Sequence, residues 1–300
     1  MDEFKSGFVS LVGRTNVGKS TLINSLTKEK VAIATAKPQT TRTAIRAILN
    51  DEKYQIIITD TPGIHKPKTK LGETMIDTAF TVATEVDVIL FLIEATSEDI
   101  GRGDRIILDK IKESNKPCIL VINKIDLIKR EKLLGLIDLY KDEYNFKAVV
   151  PVSAEKDKGT EVLIEEILKI LPNGPKYYDE DEYTDQSMRD IASEIIREKA
   201  LKLLNDEVPH GIYVDIDSFK ERKTTKGEDI IDIEATIYCL RESHKGIIIG
   251  KGGNLLKRIS TYARQDLENM FNIKINLKVW VKVKEDWQDR DNIVNKFKLK

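Results

Sequence analysis

The first 170 residues alternate between short, continuously apolar runs and stretches in which apolar side chains return every third or fourth position. The runs at 8–12, 86–93 and 119–122 lack polar alternation, as strands covered on both faces do. Further strands are predicted at 43–49, 55–59 and 148–152, and helical spacing occupies 19–27, 105–111, 133–140 and 162–171. Such alternation predicts an α/β domain, with a mostly parallel sheet and helices on both faces. Ligands in such folds gather beyond the C-terminal ends of the strands. Pro172, Asn173, Gly174 and Pro175 stop the last helix, and a polar, acidic stretch to Asp185 reads as a linker. Beyond it the pattern changes. A helix is predicted over 191–204, strands over 212–219 and 230–240, and a glycine-rich turn over 246–253. A helix over 255–270, a third strand over 273–283 and a short closing helix over 292–297 follow. Three strands with helices on one face make an α+β layout. The expected organisation is therefore 1–172, a linker at 173–186, and a second domain with its tail at 187–300.

Composition narrows the class. Charged residues at 33% exclude a mostly membrane-embedded chain, and no apolar run reaches the length that spans a bilayer. The N-terminus enters a strand-like run almost at once, leaving no room for a signal peptide, and Cys118 and Cys239 sit in separate apolar runs as buried thiols. The expected compartment is the cytoplasm. Net charge is near zero but unevenly placed: from Arg241 onward there are fourteen Lys and Arg against seven Asp and Glu. A basic end on an acidic body points to a polyanionic partner or to a solvated charged face.

Three motifs, each at the end of a predicted strand, carry the chemistry. Gly13, Arg14, Thr15, Asn16, Val17, Gly18, Lys19 and Ser20 match G-x-x-x-x-G-K-[ST] between a strand and a helix. Backbone N–H groups in such a loop point at phosphate oxygens, Lys19 reaches the β- and γ-phosphates, and Ser20 places its hydroxyl on Mg²⁺. Thr21 follows directly and belongs to the same phosphate-binding segment. Asp60, Thr61, Pro62 and Gly63 close the 55–59 strand, with an acid suited to the metal's water shell and a glycine N–H suited to the γ-phosphate. Asn123, Lys124 and Asp126 follow the 119–122 strand. A carboxylate there accepts two hydrogen bonds from guanine, whereas adenine lacks that donor pair. Ser153 and Ala154 complete a base pocket through backbone contacts to the guanine oxygen.

With these motifs in this order, the chain resembles the translation-factor-type GTPases, and among them the Era family, over nearly its whole length. The resemblance rests on GRTNVGKS, on Gln39, Thr40, Thr41 and Arg42, on DTPG, NKID and Ser153-Ala154, and on the C-terminal half. It implies GTP and GDP as ligands, Mg²⁺ as cofactor, and Thr40 or Thr41, with Thr41 preferred, closing over the metal and γ-phosphate. Ile64 stands where Ras-like proteins carry the glutamine that orients water, so intrinsic hydrolysis is expected to be slow. Relatives with an asparagine at the position of Asn16 use it to hold K⁺, which makes potassium-stimulated turnover an expectation. His65 reads as an exposed loop residue rather than a base.

In the second half, Gly250, Lys251, Gly252 and Gly253 match the G-x-x-G loop with which K homology domains clamp four nucleotides, and Ile248 and Ile249 offer a groove wall. Lys257, Arg258 and Arg264 follow on the predicted helix. The element order resembles the second K homology topology, so RNA is the expected partner. Resemblance to the Era family makes that RNA the 3′ region of 16S ribosomal RNA, bound during assembly of the 30S subunit, and adds association with the inner face of the membrane. A monomer is expected. His210 and His244 lack a second metal ligand at useful spacing, and Trp280 and Trp287 read as core or edge packing. An RNA-binding module with an inactive nucleotide site and an ATPase are the competing readings. Intact Lys19, Ser20, Asp60 and Asp126 oppose the first, and Asp126 opposes the second.

Overall fold

The structure, a computed structural model, describes residues 4–35, 37, 40–64, 67, 69–206 and 208–297. Gln39 and His65 lie outside the described residues. The chain divides into two compact units, one built principally on residues up to Asp185 and the other on Gln186–Ile293. No helix among the described residues is long and apolar enough to cross a membrane.

The first unit runs β1 (Lys5–Gly13), α1 (Lys19–Thr27), β2 (Ile45–Asn50), β3 (Tyr54–Asp60), α2 (Lys70–Thr84), β4 (Val88–Glu94), α3 (Arg102–Ser114), β5 (Cys118–Asn123), α4 (Arg130–Tyr140), β6 (Ala148–Pro151) and α5 (Thr160–Ile170). Its six strands lie in the order β2-β3-β1-β4-β5-β6, all pairs parallel except β2 with β3. The period of two along each strand explains the unbroken apolar runs. In β4, Val88, Leu90 and Leu92 pack against side chains of α1 and α5, while Ile89, Phe91 and Ile93 pack against α2, α3 and α4. The fold expected from the sequence is the one observed. Helix α2 escaped the pattern because Thr, Val and Gly dilute it, although Leu71, Met75, Ala79 and Val82 form a buried stripe.

The segment read as a linker is held by the edge of this sheet. The buried side chain of Gln55 accepts from the backbone N–H of Tyr177 at 2.6 Å and of Tyr178 at 3.0 Å, and donates to the Tyr178 carbonyl at 2.9 Å. Ile48 N–H reaches the Tyr183 carbonyl at 3.0 Å, and Arg46 pairs with Asp185 at 3.1 Å. The exposed edge of β2 leaves backbone groups that this segment satisfies, so residues 173–185 are ordered against the first unit.

The second unit runs α6 (Met188–Leu203), β7 (Tyr213–Lys223), β8 (Asp229–Cys239), α7 (Glu242–Ile249), α8 (Asn254–Phe271) and β9 (Lys274–Val283), and α9 (Asp291–Val294) follows. The strand order is β7-β8-β9, with β7 antiparallel and β9 parallel to β8. The stretch at 246–253 was expected to be one glycine-rich turn. Its first half is the last turn of α7, and only Gly250–Gly253 turns. Three consecutive isoleucines favour a strand locally, but Ile248 is fully buried in the core and helical packing overrides the propensity.

Candidate functional site

The parallel strands end together, and the final residues of β1, β3 and β5 are motif residues. Gly13 ends β1, Asp60 ends β3, Glu94 ends β4 and Asn123 ends β5. The loop from Gly13 to α1 wraps because Asn16 and Gly18 adopt positive φ, 65° and 99°. A Cβ on Gly18 would lie 2.2 Å from the Asn123 amide nitrogen, so only glycine fits. Asn123 then ties three segments together. Its Nδ2 donates to the Val17 carbonyl at 2.9 Å, and its Oδ1 accepts from Ala154 N–H at 3.0 Å. Ser153 Oγ donates to Asp126 at 2.5 Å, and that bond holds the exposed Asp126 carboxyl below the ordinary carboxylate range. Lys124 Nζ is anchored 2.9 Å from Glu94, a partner that the sequence pattern did not reveal. Burial raises the Glu94 pKa, but bonds from Thr96 and Lys124 and the charge of Arg14 outweigh it and leave the group more acidic.

Opposite these lies a triangle of oxygens. Asp60 Oδ2 accepts from Ser20 Oγ at 2.8 Å and from Thr41 Oγ1 at 3.0 Å, and the two hydroxyls are 2.9 Å apart. All three residues are buried, as is Lys19, whose Nζ donates to the carbonyls of Gly13 at 3.1 Å and Arg14 at 2.9 Å. Burial lowers the Lys19 pKa to about 8, with Asp60 opposing, and burial pushes Asp60 up, with Lys19, Ser20 and Thr41 opposing. Asp60 Oδ1 is buried with no hydrogen-bond partner. Two hydroxyls and a carboxylate with one orphaned oxygen are the hard-oxygen donor set that suits Mg²⁺. Of the two candidate threonines, Thr41 joins the triangle, whereas Thr40 is half-buried beside it in sequence.

Gly63 packs directly on the phosphate loop, since a Cβ there would lie 2.8 Å from Thr15 Cα. Thr61 is buried and donates to the Leu11 carbonyl at 2.7 Å, and Pro62 is buried between them in sequence. Ile64 N–H donates to Gly13 at 3.2 Å while its side chain is buried among Val12, Ala79 and Val82. The residue after Gly63 is therefore a core residue. Arg14 turns its side chain away from the loop, to Asp104 at 3.0 Å and Ser97 at 3.1 Å, and half-buried Thr21 lies in the first turn of α1.

In the second unit, Gly250, Gly252 and Gly253 all have positive φ, and a Cβ on Gly252 or Gly253 would meet nothing within 4 Å. That open space lets a backbone approach. Lys251, Lys257 and Arg258 are exposed around it. Of the two isoleucines expected to wall a groove, Ile248 is excluded by its burial and Ile249 is half-buried. Of the core and edge placements expected for the tryptophans, Trp287 takes the core and Trp280 the edge, on β9, where it is 44% exposed.

Comparison with known proteins agrees with this geometry. Residues 8–124 match the family described as 50S ribosome-binding GTPase, and residues 207–288 match the KH domain family. The chain is 54% identical to GTPase Era of Caldanaerobacter subterraneus over 98% of this chain and 97% of that protein. It superposes with a TM-score of 0.93 and 42% identity, over 98% of both chains, on Era in complex with MgGDPNP and nucleotides 1506–1542 of 16S ribosomal RNA. A single-residue variant of Aquifex aeolicus Era bound to GDP·AlF4⁻ gives the same score and identity, over 98% of this chain and 99% of that one.

Proposed function

The chain belongs to the Era family of GTPases, and from that premise we propose that it grips the 3′ region of 16S ribosomal RNA and uses its nucleotide state to time that grip during 30S assembly. It hydrolyses GTP to GDP and phosphate, with Mg²⁺ as cofactor.

We assign the roles as follows. The amides from Arg14 to Ser20 cradle the phosphates, and Lys19 exchanges its two carbonyl partners for β- and γ-phosphate oxygens. Ser20, Thr41 and Asp60 hold Mg²⁺, which when bound neutralises charge on those oxygens. Asp126, its carboxylate held by the Ser153 hydroxyl, accepts from the two guanine donors, and Asn123 fixes the spacing between base loop and phosphate loop. The N–H of Gly63 meets the γ-phosphate. Ile64 contributes no hydrogen bond to water, so positioning by the loop alone leaves intrinsic turnover slow. Asn16 is the residue we assign to K⁺, whose charge would offset that deficit.

The observation that carries this reading is the Ser20–Thr41–Asp60 triangle. It joins the phosphate loop, the loop before β2 and the end of β3 at one buried point, so a change in the bound phosphates and metal at Ser20 and Asp60 reaches Thr41. For the RNA half, support comes from the open Gly252-Gly253 turn and from the relative bound to nucleotides 1506–1542 of 16S ribosomal RNA. Co-sedimentation of the protein with 30S and 50S particles in GTP and in GDP tests the assignment. Nucleotide-dependent association with 30S particles is expected. Association with 50S alone, as the broad family description would suggest, would redirect it.

A further inference from the structure

The outer face of the second sheet carries chemistry that the nucleotide pocket and the glycine turn leave unused. Along β9 the odd positions 275–283 are the more buried, and the even positions project from the other face. Those even positions are Lys274, Asn276, Lys278, Trp280 and Lys282, and β9 contains no acidic residue. Trp280 is 44% exposed, whereas Trp287 is fully buried and donates its indole N–H to the Gly211 carbonyl at 3.0 Å. With 44% of its surface in water the indole forgoes a substantial part of the stabilisation that full burial gives Trp287, and it offers an open ring face to a ligand.

The neighbours on this face are aromatic and cationic. The register pairs Trp280 with Thr236 and Lys282 with Tyr238, so the indole lies diagonal to Tyr238. Tyr238 stacks on Tyr213 with ring centroids 4.7 Å apart, and the Lys284 ammonium sits 5.3 Å over the Tyr238 ring. The acids of the face are engaged. Asp232 takes Arg222 and, at 2.9 Å, Asn276, Asp217 accepts from Thr236 at 2.6 Å, and Glu234 stands 3.7 Å from Lys278. Among the described residues no carboxylate pairs with Lys282 or Lys284.

We propose that this face, centred on Trp280 with Lys278, Lys282 and Lys284 around it, is a second contact for single-stranded RNA, separate from the Gly250–Gly253 turn. One base stacks on the indole while the ammonium groups hold the flanking phosphates. Alternate residues of a strand repeat every 6.7 Å or about that, close to the spacing of successive phosphates in an extended chain. The turn clamps about four nucleotides, so a longer single strand has length left to reach a second surface. Asp232, Glu234 and Asn276 among the lysines favour a ligand with hydrogen-bonding edges over a lipid surface. The proposal rests on the RNA-binding reading above, and its test separates the two.

The probe is RNA spanning nucleotides 1506–1542 of 16S ribosomal RNA, titrated into the full chain and its variants over a salt series, with GTP turnover as the check on folding. Trp280→Ala is expected to weaken binding roughly 5- to 150-fold, the range that one base–aromatic stack supplies, and Trp280→Phe to recover most of it. Replacing Lys282 and Lys284 together by Ala should lower the slope of log affinity against log salt by about 1.4. RNA should also shield the indole from iodide quenching in the wild type but not in Trp280→Phe, where only Trp287 emits. If these variants bind within twofold of wild type while Gly252→Asp abolishes binding, RNA passes through the turn alone and the proposal is overturned. If Gly252→Asp also binds normally, the RNA reading of the whole unit fails with it. Shielding of the indole by anionic phospholipid vesicles and not by RNA would likewise overturn it.

Discussion

Raising the pH should loosen the grip on nucleotide through one residue, Lys19. Before nucleotide binds, burial lowers its pKa from 10.5 to about 8, and the nearby Asp60 carboxylate only partly opposes this. Its hydrogen-bond partners at that stage are the neutral carbonyls of Gly13 and Arg14. Phosphate oxygens replace them with negative charge, which restores the preference for the ammonium form. The free protein therefore sheds this proton near pH 8 and the complex keeps it, so binding above pH 8 takes up a proton and affinity falls as pH rises. With a bound-state pKa near the ordinary lysine value, Kd rises about tenfold from pH 7 to pH 9, roughly 1.4 kcal/mol. Folding stability without nucleotide moves the other way. Between about 8 and 10.5 the unfolded chain holds a proton that the folded chain has released, so stability increases with pH across that window. Titration calorimetry with GDP at pH 7, 8 and 9, in buffers of different ionisation enthalpy, measures both the affinity and the proton. Lys19→Ala run in parallel removes the contribution of guanine's own titration. A Kd independent of pH, with no proton uptake at pH 8, would refute the reasoning.

Other consequences are as direct. Asp126→Asn removes two charge-assisted hydrogen bonds of about 1.5–3 kcal/mol each, so GDP affinity should fall at least about a hundredfold while xanthosine diphosphate gains, as competition binding would show. Gly18→Ala places a methyl 2.2 Å from the Asn123 amide at φ 99°, so the Asn123 bond to Val17 should break; the expected outcome is a lower Tm and no measurable GDP binding. Turnover in potassium buffer should exceed that in sodium buffer, and Asn16→Ala should abolish the difference; equal rates in both salts for the wild type would remove the K⁺ assignment.

The strands of the first unit were legible because a sheet covered on both faces needs unbroken apolar runs, and the motifs sit at their ends because strand termini are where chemistry is exposed. The fold class followed from that alternation. What the sequence hid was mostly tertiary. Glu94 and Asp104 are ordinary acids in the chain, and only the fold brings them to Lys124 and Arg14. The Gln55 amide that orders residues 177–178 carries no local signal at all. Ile247, Ile248 and Ile249 look interchangeable, but helical rotation buries the second fully and leaves the first 49% exposed. Trp280 sits on the edge strand β9, one of the two placements open to it, and its exposure is the part that the sequence hides. Large aromatics are usually buried, and only its register on β9, with the lysines two residues either side, shows that this one faces water.

Phosphate release from GTP and from ATP by the purified chain in magnesium tests the nucleotide pocket most directly, with Lys19→Ala and Asp60→Asn alongside. Slow release from GTP, none from ATP, and loss of release in both variants is the expected result. Comparable release from ATP, or release from GTP that survives Lys19→Ala, would contradict the account.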